Sequence, residues 1–162
     1  MKNIDKKIIF WDFDGVLMDS MPVRNQGFEI VLKDFPKKQV EELMKFHLKN
    51  GGLSRYVKFR YFFENIREES ITENEINKWA KKFSAVMRKE LVAPELLIED
   101  SISFVKNNFQ KYEMHIVSGS DQEELRFLCM EMGIDTYFKS IYGSPTPKTE
   151  LVQNLLKNKK YQ

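Results

Sequence analysis

Ile8-Ile9-Phe10-Trp11-Asp12 is a short, nearly unbroken apolar run that ends on a carboxylate. β-Branched and aromatic side chains without polar alternation are the pattern of a strand buried on both faces of a parallel sheet, so a strand is predicted over Ile8 to Asp12. After Pro22 the period changes. Apolar residues recur at helical spacing, with charges between them, over Val23 to Phe35, Lys37 to Lys49, Ser54 to Ile66 and Glu73 to Leu91, which predicts four helices. Pro22 suits a first helical turn, Asn50-Gly51-Gly52 breaks the pattern, and Thr72-Glu73-Asn74-Glu75 has the form of a capping box.

Past Ala93-Pro94 a helix is predicted from Glu99 to Phe109. A second strand-like run follows at Tyr112 to Val117 and ends in the small polar residues Ser118-Gly119-Ser120-Asp121. The next helix, Gln122 to Met132, stops at Gly133; a third apolar run at Ser140 to Tyr142 precedes Gly143-Ser144-Pro145, and a last helix begins near Lys148. Strands that alternate with helices imply an α/β fold with a parallel, helix-covered sheet. The four-helix block lies between the first and second strands, so it is expected over the C-terminal edge of the sheet, where ligands of open α/β sheets bind. The predicted organisation is a core of residues 1–17 and 92–162 and a helical cap of residues 18–91.

Composition narrows the function. With 42% apolar residues and only 7 Gly and 5 Pro in 162 residues, the chain can bury one domain or a domain with a small insertion, and a disordered chain is excluded. The 26 basic and 24 acidic residues leave a net +2 without a long run of one sign, so neither nucleic acid nor a membrane surface is the expected partner; a small molecule is. A single Cys129 and eight Met suit a reducing compartment, and Asp12 and Asp14 interrupt the first apolar run before it reads as a signal peptide. A cytoplasmic location is expected.

Asp12 and Asp14 stand two apart at the exit of the first strand, followed by Gly15. An isolated Asp-x-Asp is usually a turn with Asp at capping positions. Two close carboxylates repel, however, so either one holds its proton to higher pH or a cation shares the site. The run Asp12-Phe13-Asp14-Gly15-Val16-Leu17, with Asp19-Ser20 behind it, resembles the first motif of the haloacid dehalogenase superfamily. Ile116-Val117-Ser118-Gly119 is similar to its second motif, and Ser144-Pro145-Thr146-Pro147-Lys148 to its third. The helical insert lies where subclass I members, the phosphoglycolate-phosphatase-like and β-phosphoglucomutase-like enzymes, carry their cap. The resemblance covers nearly the whole chain and implies a Rossmann-like core.

It also implies roles. Asp12 would attack phosphorus to give an aspartyl-phosphate, and Asp14 would protonate the leaving alkoxide and then take a proton from the hydrolytic water. Gly15 would let the backbone turn beneath the phosphate, Ser118 and the Gly119 amide would donate to phosphoryl oxygens, and Lys148 would neutralise charge on Asp12 and the phosphoryl group. Mg²⁺ would bridge Asp12 and the phosphate, with the backbone carbonyl of Asp14 as a further ligand. The expected activity is a Mg²⁺-dependent phosphatase acting on a small phosphorylated metabolite. A phosphomutase would use the same residues, whereas dehalogenases of the superfamily lack the second Asp.

The family's fourth motif, an apolar strand followed by Gly-Asp, should come after the third-motif Lys, yet only Thr149 to Gln162 follow Lys148, with one acid, Glu150. The reading is therefore a fragment of a longer enzyme or a weakened homologue, with a truncated sheet whose first strand would have an open edge that invites self-association. In the cap, Arg55 and Lys58 either meet the non-phosphate part of an anionic substrate, Arg55 foremost, or form a solvated basic face. Tyr56, Phe59, Tyr61, Phe62 and Phe63 read as cap core, the alternative being a surface that stacks a base or sugar. His47 and His115, without partners at metal-ligand spacing, and Cys129 read as structural.

Overall fold

A computed structural model describes residues 7–158. In chain order these form β1 (Ile8–Trp11), α1 (Met21–Val31), α2 (Lys37–Lys49), α3 (Arg55–Tyr61), α4 (Glu73–Glu90), α5 (Glu99–Asn108), β2 (Glu113–Asp121), α6 (Gln122–Glu131), β3 (Ser140–Ser144) and α7 (Lys148–Asn158). Short 3₁₀ turns lie at Pro94–Leu96 and Asp135–Tyr137, and a π-helical turn at Phe62–Ile66. The chain divides into two compact units, residues 1–19 with 92–162, and residues 20–91. The division falls at Ser20 rather than Met18, because Met18 bridges to Leu97 and the Asp19 amide donates to the Leu96 carbonyl at 2.7 Å.

The first unit is a parallel sheet in the order β1-β2-β3 with helices between its strands. Trp11 pairs with Ile116, and Val117 with Tyr142, so all three strands run toward one end of the sheet. Apolar side chains that a two-layer arrangement must bury fill its core: Met114, Ile116, Leu125, Leu128 and Cys129 are each no more than 1% exposed. Burial, with Asp135 nearby, pushes the Cys129 thiol up to about 12, which leaves it an inert space-filler. Among the described residues β1 pairs only with β2 and lies at the sheet edge.

The sequence pattern ends the second strand at Val117, but β2 continues to Asp121. Ser-Gly-Ser-Asp has low strand propensity, and what carries the strand onward is β3, since Asp121 pairs with Ser144 after a register shift beyond Val117. Asp121 then caps α6, its carboxylate accepting the Glu124 amide at 3.0 Å. The shift needs Gly143. A Cβ there would lie 2.2 Å from the Ser120 carbonyl oxygen, so only glycine lets β3 pass this close.

The second unit is a four-helix block with its own core. Phe28, Leu32, Leu43, Phe59, Phe62, Ile76, Phe83 and Met87 are buried, and the Phe28 and Phe83 rings meet at 4.5 Å. The π-helical turn after α3 sends the consecutive Phe62 and Phe63 inward, and Phe35 meets both edge-on at 5.3 and 5.7 Å. Tyr61 stacks on Phe46 at 3.7 Å. The capping box forms as predicted: Thr72 Oγ1 accepts the Glu75 amide, and Glu75 Oε2 accepts the Thr72 amide at 2.8 Å.

His47 of α2 is buried, its Nε2 bonded to Asn25 Oδ1 at 2.6 Å and its ring against Phe28. Burial, reinforced by the Lys58 charge, lowers its pKa from 6.5 to about 4. The unfolded chain therefore takes up this proton at a higher pH than the folded one. The contribution of neutral His47 is complete above pH 6.5 and is lost as pH falls toward 4, with an upper magnitude of about 3 kcal/mol. Urea unfolding at pH 7 and pH 4.5 should show a larger acid loss in wild type than in His47→Gln; equal losses would refute the assignment. His115, bonded to Ser140 Oγ at 2.7 Å and to Glu113 at 3.0 Å, is lowered in the same direction by burial and then by Lys139.

Candidate active site

Asp12 directly follows β1, and the turn after it is anchored by Phe13, whose side chain is fully buried. The Phe13 carbonyl accepts the amides of Val16, Leu17 and Met18, and the Gly15 amide donates to the Met18 carbonyl at 2.8 Å. Gly15 has φ +73°, a left-handed conformation that glycine adopts without a Cβ penalty. The Leu17 carbonyl accepts the Ile98 amide, so both ends of the turn are tied to the core unit. A tight turn on a buried aromatic anchor fixes two carboxylates in one short segment.

Each carboxylate has a partner from a different strand exit. Asp12 Oδ1 accepts the Phe13 amide at 2.8 Å, while Oδ2 accepts Lys148 Nζ at 2.6 Å. Lys148 opens α7 just beyond β3, so its side chain reaches across the exit of the central strand to Asp12. Both side chains keep about two-fifths of their surface open, which leaves the pair reachable by a ligand. Asp14 Oδ2 accepts the Ser120 hydroxyl at 2.5 Å, and the Ser120 amide donates to Ser118 Oγ at 3.0 Å. Ser118 is fully buried, and with its oxygen accepting, its O–H remains to donate.

The structure thus links Asp12 with Lys148, and joins Asp14 through Ser120 to Ser118 beside Gly119. Ser120 is the residue that sequence reasoning missed. Its signal was present: in a strand carried past Val117, residues two apart share a face, which groups Ser120 with Ser118. Arg55 and Lys58 belong to the other compact unit and do not form a solvated basic face. They are 5% and 3% exposed; Arg55 Nη1 donates to Ser84 Oγ at 2.7 Å, and its guanidinium lies 4.4 Å over the Phe83 ring.

Among the described residues no group of three or more His, Cys, Asp or Glu side chains could hold a metal ion. The Asp12 carboxylate and the Asp14 backbone carbonyl are hard oxygen donors, the chemistry that suits Mg²⁺, which commonly keeps several waters and takes its remaining oxygens from a substrate phosphate. No helix among the described residues is long and apolar enough to cross a membrane.

The sequence profile of the haloacid dehalogenase-like hydrolases matches residues 8–162. No curated protein matches the chain. Among solved structures, a predicted phosphoglycolate phosphatase from Haemophilus somnus is 18% identical with a TM-score of 0.63, over 94% of this chain and 71% of that one. CbbY from Rhodobacter sphaeroides, solved in complex with phosphate, is 11% identical with a TM-score of 0.67, over 94% of this chain and 73% of its own. The HAD-hydrolase YfnB from Bacillus subtilis, bound to magnesium, is 14% identical with a TM-score of 0.57, over 86% of this chain and 65% of its own. At these identities the likeness is one of fold.

Proposed function

The chain belongs to the haloacid dehalogenase-like hydrolases, and from that premise we propose that it is a Mg²⁺-dependent phosphatase of a small phosphorylated metabolite, acting through an aspartyl-phosphate on Asp12. The observation that carries the reading is the pairing of Asp12 with Lys148 at 2.6 Å, two residues before a second carboxylate held by Ser120. A lysine beside a carboxylate nucleophile orients it and offsets charge as a phosphoryl group arrives. Asp12 then attacks phosphorus through one carboxylate oxygen while the bond to the leaving alkoxide breaks. Asp14 supplies the proton to that alkoxide and later accepts one from the water that cleaves the acyl phosphate.

Ser118 and the Gly119 amide donate to the phosphoryl oxygens in this scheme, and Gly15 provides the turn that places Asp14. Asp12 and the Asp14 carbonyl would hold Mg²⁺, which supplies charge neutralisation on the transferring group. CbbY with phosphate and YfnB with magnesium are relatives in fold whose contents accord with this donor set. We further propose that Arg55 and Lys58, in the unit of residues 20–91, supply positive charge for the remainder of an anionic substrate. Their burial gives them defined positions, which suits recognition better than solvated lysines would.

The test is a panel of phosphate monoesters assayed with Mg²⁺ and again with EDTA. Turnover of at least one ester that is lost with EDTA and restored by excess Mg²⁺ is expected. Turnover that survives EDTA unchanged would remove the metal from the mechanism, and failure on every ester would remove the phosphatase reading itself.

A further inference from the structure

We propose that the open edge of β1 is a self-association surface, on which a second copy of this chain adds its own β1 in the antiparallel direction. Among the described residues β1 pairs only with β2. The Glu113 amide donates to the Lys7 carbonyl at 3.0 Å, so the backbone groups of Lys7 face β2. Successive residues of a strand aim their N–H and C=O groups to opposite sides, which turns Ile9 and Trp11 toward β2 and Ile8 and Phe10 toward the edge. The edge has no guard. Ile8-Ile9-Phe10-Trp11 contains no charge and no Pro, and each of its residues is only half-buried. Phe104 of α5 lies 5.8 Å from the Trp11 ring and is 41% exposed, which adds apolar surface beside the strand. Trp11 Nε1 is buried with no hydrogen-bond partner among the described residues, an unmet donor on the same strand.

Charge selects the occupant and its direction. β1 opens directly after Lys7, which is exposed, and is followed by Asp12 and Asp14. Antiparallel pairing of two copies sets the basic start of each strand against the acidic end of the other, whereas parallel pairing sets like charge against like. Only residues whose backbone groups face the edge can bond across it. Joining Ile8 of each copy to Phe10 of the other satisfies both, about a two-fold axis beside Ile9, and makes one continuous sheet through the two copies. A net charge of +2 gives the copies little long-range repulsion. Strands this short bury a small area, so the dimer is expected to be weak, with a Kd of about 10 to 100 µM.

Sedimentation velocity of the whole chain, from about 1 to 300 µM, should follow a monomer–dimer equilibrium in that range. Two variants locate the contact. Ile8→Pro removes an edge-facing N–H at the first residue of the strand and leaves the ladder to β2 intact, and Lys7→Glu makes both ends of β1 acidic. Each should weaken the dimer at least about tenfold while the far-ultraviolet circular dichroism stays that of wild type. Should Ile8→Pro lose its fold, Lys7→Glu decides alone. In wild type, hydrogen exchange at the Ile8 and Phe10 amides should slow as concentration rises. A chain that stays monomeric throughout, or a dimer that Lys7→Glu leaves intact, would overturn the proposal. So would Ile8 and Phe10 amides already protected in the monomer, which would mean that the chain's own residues cover the edge.

Discussion

Asp12→Asn should lower phosphate-ester turnover by about 10⁴-fold or more, the scale on which removal of a covalent nucleophile acts. The carboxamide keeps the shape of the side chain and can still accept from the Phe13 amide, but it has no anionic oxygen to attack phosphorus and no charge to hold Lys148. Stability should change by less than about 1 kcal/mol, because the ion pair that is lost is partly open to water. Initial rates and intact-mass spectra of acid-quenched reactions measure this, with a phosphorylated species expected in wild type and absent in the variant. Asp12→Asn that still turns over within tenfold of wild type would exclude Asp12 as the nucleophile.

Lys148→Met should cost about 10²- to 10³-fold in kcat/KM, the range for loss of one preorganised charge at a transferring group. The expected effect exceeds what a surface ion pair could give, since in the proposed mechanism Lys148 acts on charge that develops in the transition state. Lys148→Arg is expected to recover only part of the loss. A planar guanidinium spreads its charge over a fork, and the 2.6 Å contact to Asp12 is that of a compact ammonium. Full activity in Lys148→Met would show that the contact with Asp12 is structural.

Much of this was legible because the relevant signals are local. The apolar run before Asp12, the capping box at Thr72 and the glycine pair at Gly51-Gly52 each act within a few residues, and the elements they predict are present. The length of β2 was not legible. Ser118 to Asp121 read as a loop by propensity, and only a neighbour distant in sequence, β3, extends the strand through them. Ser120 was hidden for the same reason, since its hydrogen bond to Asp14 spans 106 positions. The burial of Arg55 was equally invisible, because a basic residue on a helix with charged neighbours reads as solvated until Phe83 and Ser84 of α4 are placed beside it.

The close passage of Gly143 past Ser120 has a further consequence for quality control. Lys148, Ser120 and Asp12 stand on three successive strand exits, so their spacing is a measurement of sheet register. A slip of one residue between strands displaces a side chain by about 3.3 Å and turns it to the other face, well outside hydrogen-bond tolerance. A core that collapsed with the right strands in the wrong alignment would bury nearly the same apolar surface, yet it would carry no assembled charge pair. Under the proposed function, catalytic competence would therefore report correct strand alignment far more sharply than compactness does. Gly143→Ala should yield protein that remains helical and monodisperse while its fraction of active molecules drops.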